Sequence, residues 1–108
     1  MTIQEAVARA VEVREKYAQL EQQNTGKSWT RQELFEGFVG DVGDLAKLVM
    51  AKEGRRTIDD VDAKLAHELA DCFWSVLVLA SKYDIDIESA FQNTMNTLDA
   101  NITSELQK

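Results

Sequence analysis

Proline is absent from the 108 residues, and glycine occurs only five times. So few strong breakers argue against a turn-rich β-sandwich and for long helices. Cysteine occurs once, as Cys72, which excludes an intramolecular disulfide. It sits in an apolar run, where a lone cysteine ordinarily acts as a small core residue; a reactive or redox role is the alternative. A reducing, cytoplasmic compartment is expected. Long hydrophobic runs are also missing. The longest near-apolar stretch, Cys72 to Ala80, is far short of the roughly 20 residues that span a bilayer. The start, Met1-Thr2-Ile3-Gln4-Glu5, has neither the basic nor the apolar block of a signal peptide. No membrane partner is expected.

Cations are in the minority. Twelve lysines and arginines stand against nineteen acids, for a net charge of −7. A protein that grips a nucleic-acid backbone shows a basic face. Here only Lys52, Arg55 and Arg56 cluster, so nucleic acid is not an expected partner. A small anionic ligand remains compatible if a metal ion neutralises the acids around it.

What the chain does contain is helical pattern. It carries no repeat, low-complexity tract or linker, and its length fits one domain over residues 1–108. Thr2 with Glu5 and Thr30 with Glu33 are capping boxes, in which each side chain satisfies a free backbone N–H at a helix start. They predict a first helix from Ile3 to Asn24 and a second from Arg31 to Lys52. The first has an apolar face of Ile3, Val7, Ala10, Val13, Tyr17 and Leu20; the second has a stripe of Phe35, Phe38, Val42, Leu45 and Val49. Gly54 suits a left-handed termination. A third helix is expected from Ile58 to Tyr83 with Thr57 as its cap. Its second half is apolar nearly all round, as in a bundle centre or a subunit interface. A fourth, capped by Asp86, is expected from Ile87 to Glu105. Short connections favour antiparallel packing. The expected fold is an all-α, four-helix antiparallel bundle that assembles into a homodimer or homotetramer.

Four acids do not fit an ordinary solvated face. At about 100° per residue, Asp41 projects between Leu45 and Leu48, inside the apolar arc of the second helix, and Asp44 lies at its edge. In the third helix Lys64, Glu68, Asp71 and Ser75 make a narrow polar stripe between apolar flanks. Each helix thus carries two acids spaced i, i+3, which point the same way. On antiparallel neighbours the two pairs can face each other. Four carboxylates together repel unless some protonate or a cation neutralises them, and an all-oxygen set selects Mg²⁺ or Mn²⁺. Taken singly, each acid has a plainer explanation: Lys64 can pair with Glu68, and Lys47 with Asp44. Taken as two pairs within apolar arcs, they favour a metal site.

Other residues have two readings each. Trp29 can stack on a base or serve as the hydrophobic staple before the Thr30 cap. Trp74 reads as core or interface. His67 points off the acidic stripe and reads as structural. Lys47, Lys52, Arg55 and Arg56 are candidate phosphate contacts or solvated helix ends.

The run Phe38-Val39-Gly40-Asp41-Val42-Gly43-Asp44-Leu45-Ala46-Lys47-Leu48, followed by His67-Glu68-Leu69-Ala70-Asp71-Cys72, resembles the MazG-like nucleoside triphosphate pyrophosphohydrolases. That all-α superfamily also holds dimeric dUTPases and phosphoribosyl-ATP pyrophosphohydrolases. Its pattern is EExxE, a spacer, then ExxD. Here the first half reads Gly40-Asp41-x-x-Asp44 and the second Glu68-x-x-Asp71, with 23 residues between Asp44 and Glu68. The resemblance implies Mg²⁺ ligation by Asp41, Asp44, Glu68 and Asp71. A carboxylate not fully engaged by the ion is the expected acceptor of the water's proton, with Asp41 and Glu68 as the candidates. The resemblance also implies a nucleotide substrate cut to a monophosphate and pyrophosphate; Lys47, Lys64 and Trp29 are the expected substrate contacts. Two departures stand out. Gly40 replaces the first Glu, and Asp replaces Glu at both ligand positions of the second helix. Thr94 aligns with a lysine that some members aim at the phosphates. These departures leave two rival expectations: a helical binding module that has lost catalysis, and a pyrophosphohydrolase for a non-standard nucleotide.

Overall fold

Both capping boxes form, with Thr2 and Thr30 each bonded reciprocally to the glutamate three residues on. They open α1 (Ile3–Thr25) and α2 (Arg31–Lys52). The computed structural model describes residues Met1–Lys108 and has two further helices, α3 (Val61–Lys82) and α4 (Ile87–Leu106), and no strand. Asp86 caps α4 by accepting from the Ser89 N–H and hydroxyl at 3.1 and 3.0 Å. No helix is long and apolar enough to cross a membrane.

The helix ends are tied off in two similar ways. After α2, Gly54 takes a positive φ of 80°, and Arg55 N–H and Gly54 N–H bond back to Met50 and Ala51 carbonyls. After α3, Asp84 does the same job at φ 56°, with Ile85 bonding to Ala80 and Asp84 to Ser81. Both are Schellman closures, and aspartate tolerates the left-handed region better than most residues with a side chain. The start of α3 departs from expectation. Thr57 does not cap it; the helix begins three residues later, at Val61, after Asp60 in a left-handed conformation with no side-chain cap bond. Thr57, Ile58 and Asp59 belong to the turn instead. Lys52 then clasps Asp62 across that turn at 2.6 Å.

α2 and α3 share the longest seam and run antiparallel. Lys52, at the end of α2, meets Asp62 at the start of α3, while Phe38 and Gly37, early in α2, meet the same cavity as Ser75 and Val78, late in α3. α1 crosses α3, and the core there is Ala10, Leu77 and Val78, flanked by Val7, Leu34, Trp74 and Ile87. α4 does not close a four-helix bundle within one chain. Only its first turn is partly covered, and every residue from Phe91 onward is exposed. The molecule therefore extends to 60 × 40 × 26 Å with a radius of gyration of 17.4 Å, against about 13 Å for a compact domain of this length.

The apolar stripe expected on α2 also splits. Phe38 and Leu45 turn toward the interior beside buried Leu48, while Phe35, Val42 and Val49 are exposed. With Leu69, Phe73 and Val76 of α3 they leave bare apolar surface outside the seam.

Candidate active site

The antiparallel register brings the four acids together. Ligand oxygens of Asp41, Asp44 and Glu68 lie within 4.8 Å of one another, and so do ligand atoms of His67, Glu68 and Asp71. Glu68 belongs to both groups and forms their hinge. Its Oε2 is fully enclosed and has no hydrogen-bond partner. Burial, and then the charges of Asp71, Asp41 and Asp44, push the Glu68 carboxyl above its usual range. Asp41 is raised in the same way, by burial and then by Asp71 and Asp44. The neighbouring Cys72 thiol is raised by burial and by the nearby acids; it is half-buried and free.

This arrangement tests whether a cation fits. Enclosed carboxylates with raised pKa values are under-compensated, and an enclosed carboxylate oxygen without a donor lacks its partner. An oxygen-dominated donor set of this kind suits a hard divalent ion such as Mg²⁺ or Mn²⁺. His67 Nε2 lies 3.2 Å from Asp71 Oδ2. The ring anticipated to point off the stripe therefore reaches one of its acids from the solvent side.

The lysines are less engaged. Lys47 Nζ is 3.9 Å from Asp44 Oδ1, with both side chains more than half exposed, a contact worth little energetically. Lys64 is exposed, makes no ion pair with Glu68, and does not line the adjoining cavity. Gly40 is exposed, and a Cβ there would meet nothing within 4 Å. Thr94 sits on the exposed part of α4.

Beside the acids opens a cavity of about 430 Å³ whose walls include Tyr17, Trp29 and Trp74, with Asp41, His67 and Asp71 toward the acidic end. That is the size range of small-ligand sites. Trp74 is fixed by its indole N–H, which donates to the Ala10 carbonyl at 3.0 Å. Tyr17 packs against it with ring centroids 5.7 Å apart. Trp29 lies directly on Gly37, where a Cβ would stand 3.0 Å from the ring, so a side chain there would push the indole back by a few tenths of an ångström. The indole thus lies against α2 while lining the cavity, half exposed to solvent.

Two charged residues complete the wall on α1. Arg14 is 7% exposed and bonds through Nη2 to Glu21 Oε1. The same oxygen accepts from the Trp29 backbone N–H at 3.0 Å. Burial opposes the Glu21 charge, but the bonds from Arg14 and Trp29 outweigh it and hold the carboxyl below its usual range. Sequence reasoning missed Arg14, Tyr17 and Glu21 as site residues. A signal was present: at about 100° per residue, Arg14 and Glu21 both fall inside the α1 apolar arc, as Asp41 does in α2.

A search by family model matches residues 29–100, about two-thirds of the chain, to the MazG nucleotide pyrophosphohydrolase domain. The chain belongs to the MazG family. No curated protein and no solved structure matches it. The MazG segment contains all four acids together with Trp29, Gly37 and Trp74. Arg14, Tyr17 and Glu21 lie outside it, so the α1 wall of the cavity is contributed from beyond the matched segment.

Proposed function

We propose that this MazG-family chain is a Mg²⁺-dependent nucleoside triphosphate pyrophosphohydrolase, with Mn²⁺ as an alternative ion, that releases a nucleoside monophosphate and pyrophosphate. The observation that carries the reading is the enclosed, unpartnered Glu68 Oε2 in a cluster of acids that opens on an aromatic-walled cavity. Asp41, Asp44, Glu68 and Asp71 would hold the ion. Bound there, it supplies Lewis acidity toward the phosphate chain and a water of lowered pKa.

The chain's own residues supply the rest. The aromatic walls hold the base flat and so direct the phosphates toward the acidic end. The water oxygen bonds to the α-phosphorus, and the bond to the bridging oxygen breaks, so that oxygen departs with pyrophosphate. The water's proton passes to a carboxylate. Asp41 and Glu68 are the candidates for that role, as carboxylates of the cluster with an oxygen not engaged by the ion. Lys47 stands near enough to Asp44 to swing toward the leaving phosphates; Lys64 would have to move to contribute.

The bare apolar surfaces of α2, α3 and α4 support assembly of the chain into a homodimer or homotetramer, working in the cytoplasm. The test is product analysis after incubation with ribo- and deoxyribonucleoside triphosphates and Mg²⁺ or Mn²⁺. Monophosphate and pyrophosphate in equal amounts are expected from at least one substrate. Diphosphate with inorganic phosphate would contradict the bond assignment. A folded protein that produces neither would favour the rival reading of a binding module.

A further inference from the structure

Arg14 is a cation more than nine-tenths buried, yet it has a single protein acceptor, Glu21. The rest of its guanidinium makes no hydrogen bond with the protein, and it lines the cavity. The free nitrogens are not sealed from water, because Glu68 Oε2 is the one sealed atom without a partner; they are donors that a ligand in the cavity can use. The site around it is built for a flat ligand. The guanidinium carbon lies over the Trp29 ring, 5.9 Å from its centroid, and Tyr17 and Trp74 line the same cavity. Glu21 ties the unit together by holding both Arg14 and the Trp29 backbone.

We propose that Arg14 reads the edge of the nucleobase, so that the cavity selects a base with two adjacent hydrogen-bond acceptors over adenine and uracil. This inference rests on the nucleotide reading of the site given above. A guanidinium only donates, and its planar fork matches paired acceptors, as it does with O6 and N7 of guanine. Two base edges offer such a pair: N7/O6 of a 6-oxopurine and N3/O2 of cytosine. Adenine puts an amino donor beside N7 and would set donor against donor. Uracil separates its two carbonyls with an N–H. Glu21 acts here as a positioning residue that sets the angle of the fork and the place of the Trp29 ring.

The experiment is titration of the full chain's tryptophan fluorescence with dGMP, dCMP, dAMP and dUMP, which needs no turnover. At least one of dGMP and dCMP should bind about tenfold or more tightly than dAMP and dUMP. Whichever of the two binds tightly identifies the edge that is read. Its deaza analogue, 7-deaza-dGMP or 3-deaza-dCMP, should bind about tenfold less tightly to the wild-type protein, a comparison that requires no variant to fold. Arg14→Gln, shown folded by circular dichroism, should bring the four affinities together. Equal binding of all four nucleotides, adenine or uracil binding as tightly as the better of the other two, a deaza analogue bound as well as its parent, or an unchanged ranking in folded Arg14→Gln would each overturn the proposal. A ranked panel without hydrolysis would leave base reading standing while the pyrophosphohydrolase reading failed. Hydrolysis without ranking would do the reverse.

Discussion

Glu68 shows how one side chain can report a site. A glutamate on a helix ordinarily faces water, and this one has an enclosed oxygen with no donor beside three further acids. Its raised pKa and that of Asp41 fix the sign of a pH effect. The folded protein binds protons more readily than the unfolded chain between the unfolded value, about 4.3 for glutamate, and the raised folded value. Without metal, the contribution of these groups to stability therefore falls as pH rises through that window and is most favourable below it. Glu21 has the opposite sign: its lowered pKa gives stability that is present above about 4.3 and lost as pH falls through the folded value. Glu68→Gln should stabilise the metal-free protein at neutral pH by about 1 kcal/mol and flatten the Glu68 part of the profile. It should also abolish most of the rise in melting temperature that Mg²⁺ gives the wild type. Thermal melts with and without Mg²⁺ check both; a variant that melts lower without metal would count against the repulsion. The pairing of the acids was legible in the sequence because Asp41 lies inside an apolar arc, Asp44 at its edge, and Glu68 and Asp71 in a narrow stripe between apolar flanks. Arg14 and Glu21 interrupt the α1 arc in the same way, but their charges have opposite signs, so the pattern resembles an ordinary ion pair until the aromatic walls around it are visible.

At the scale of the helices, the caps were the most readable feature. Thr2, Thr30 and Asp86 act through their own first turns, so neighbouring residues suffice to identify them. The start of α3 was not readable in that way. Thr57 is a plausible cap by residue type, but where the helix begins depends on where the turn after Gly54 delivers the chain. The left-handed residues add a test. Asp84 occupies φ 56° in a closure that glycine suits better. Asp84→Gly should therefore raise stability by up to about 1 kcal/mol, read as a higher urea midpoint with an unchanged slope. A loss would mean that the Asp84 side chain makes a contribution that outweighs its backbone cost.

For the molecule as a whole, the open question in the sequence was how four amphipathic helices share their apolar faces. Periodicity identifies a face but not its partner. It suggested one closed bundle, whereas Phe35, Val42 and Val49 on α2, Phe73 on α3, and α4 from Phe91 onward remain bare. Only six residues are buried in the single chain, a thin core for a stable domain. Association through the α2 and α3 faces would cover much of this surface. Phe73→Lys should shift the protein toward monomer by sedimentation velocity and lower its melting temperature. A wild type that sediments as a well-folded monomer would contradict the assembly. The most direct test of the central claim is pyrophosphate release from the best triphosphate with Mg²⁺, comparing wild type with Glu68→Ala and Asp71→Ala. The expected result is turnover that needs the metal and falls by at least about a hundredfold in both variants. Turnover that survives in either folded variant, or that proceeds in the presence of a chelator, would contradict a metal site built on these four acids.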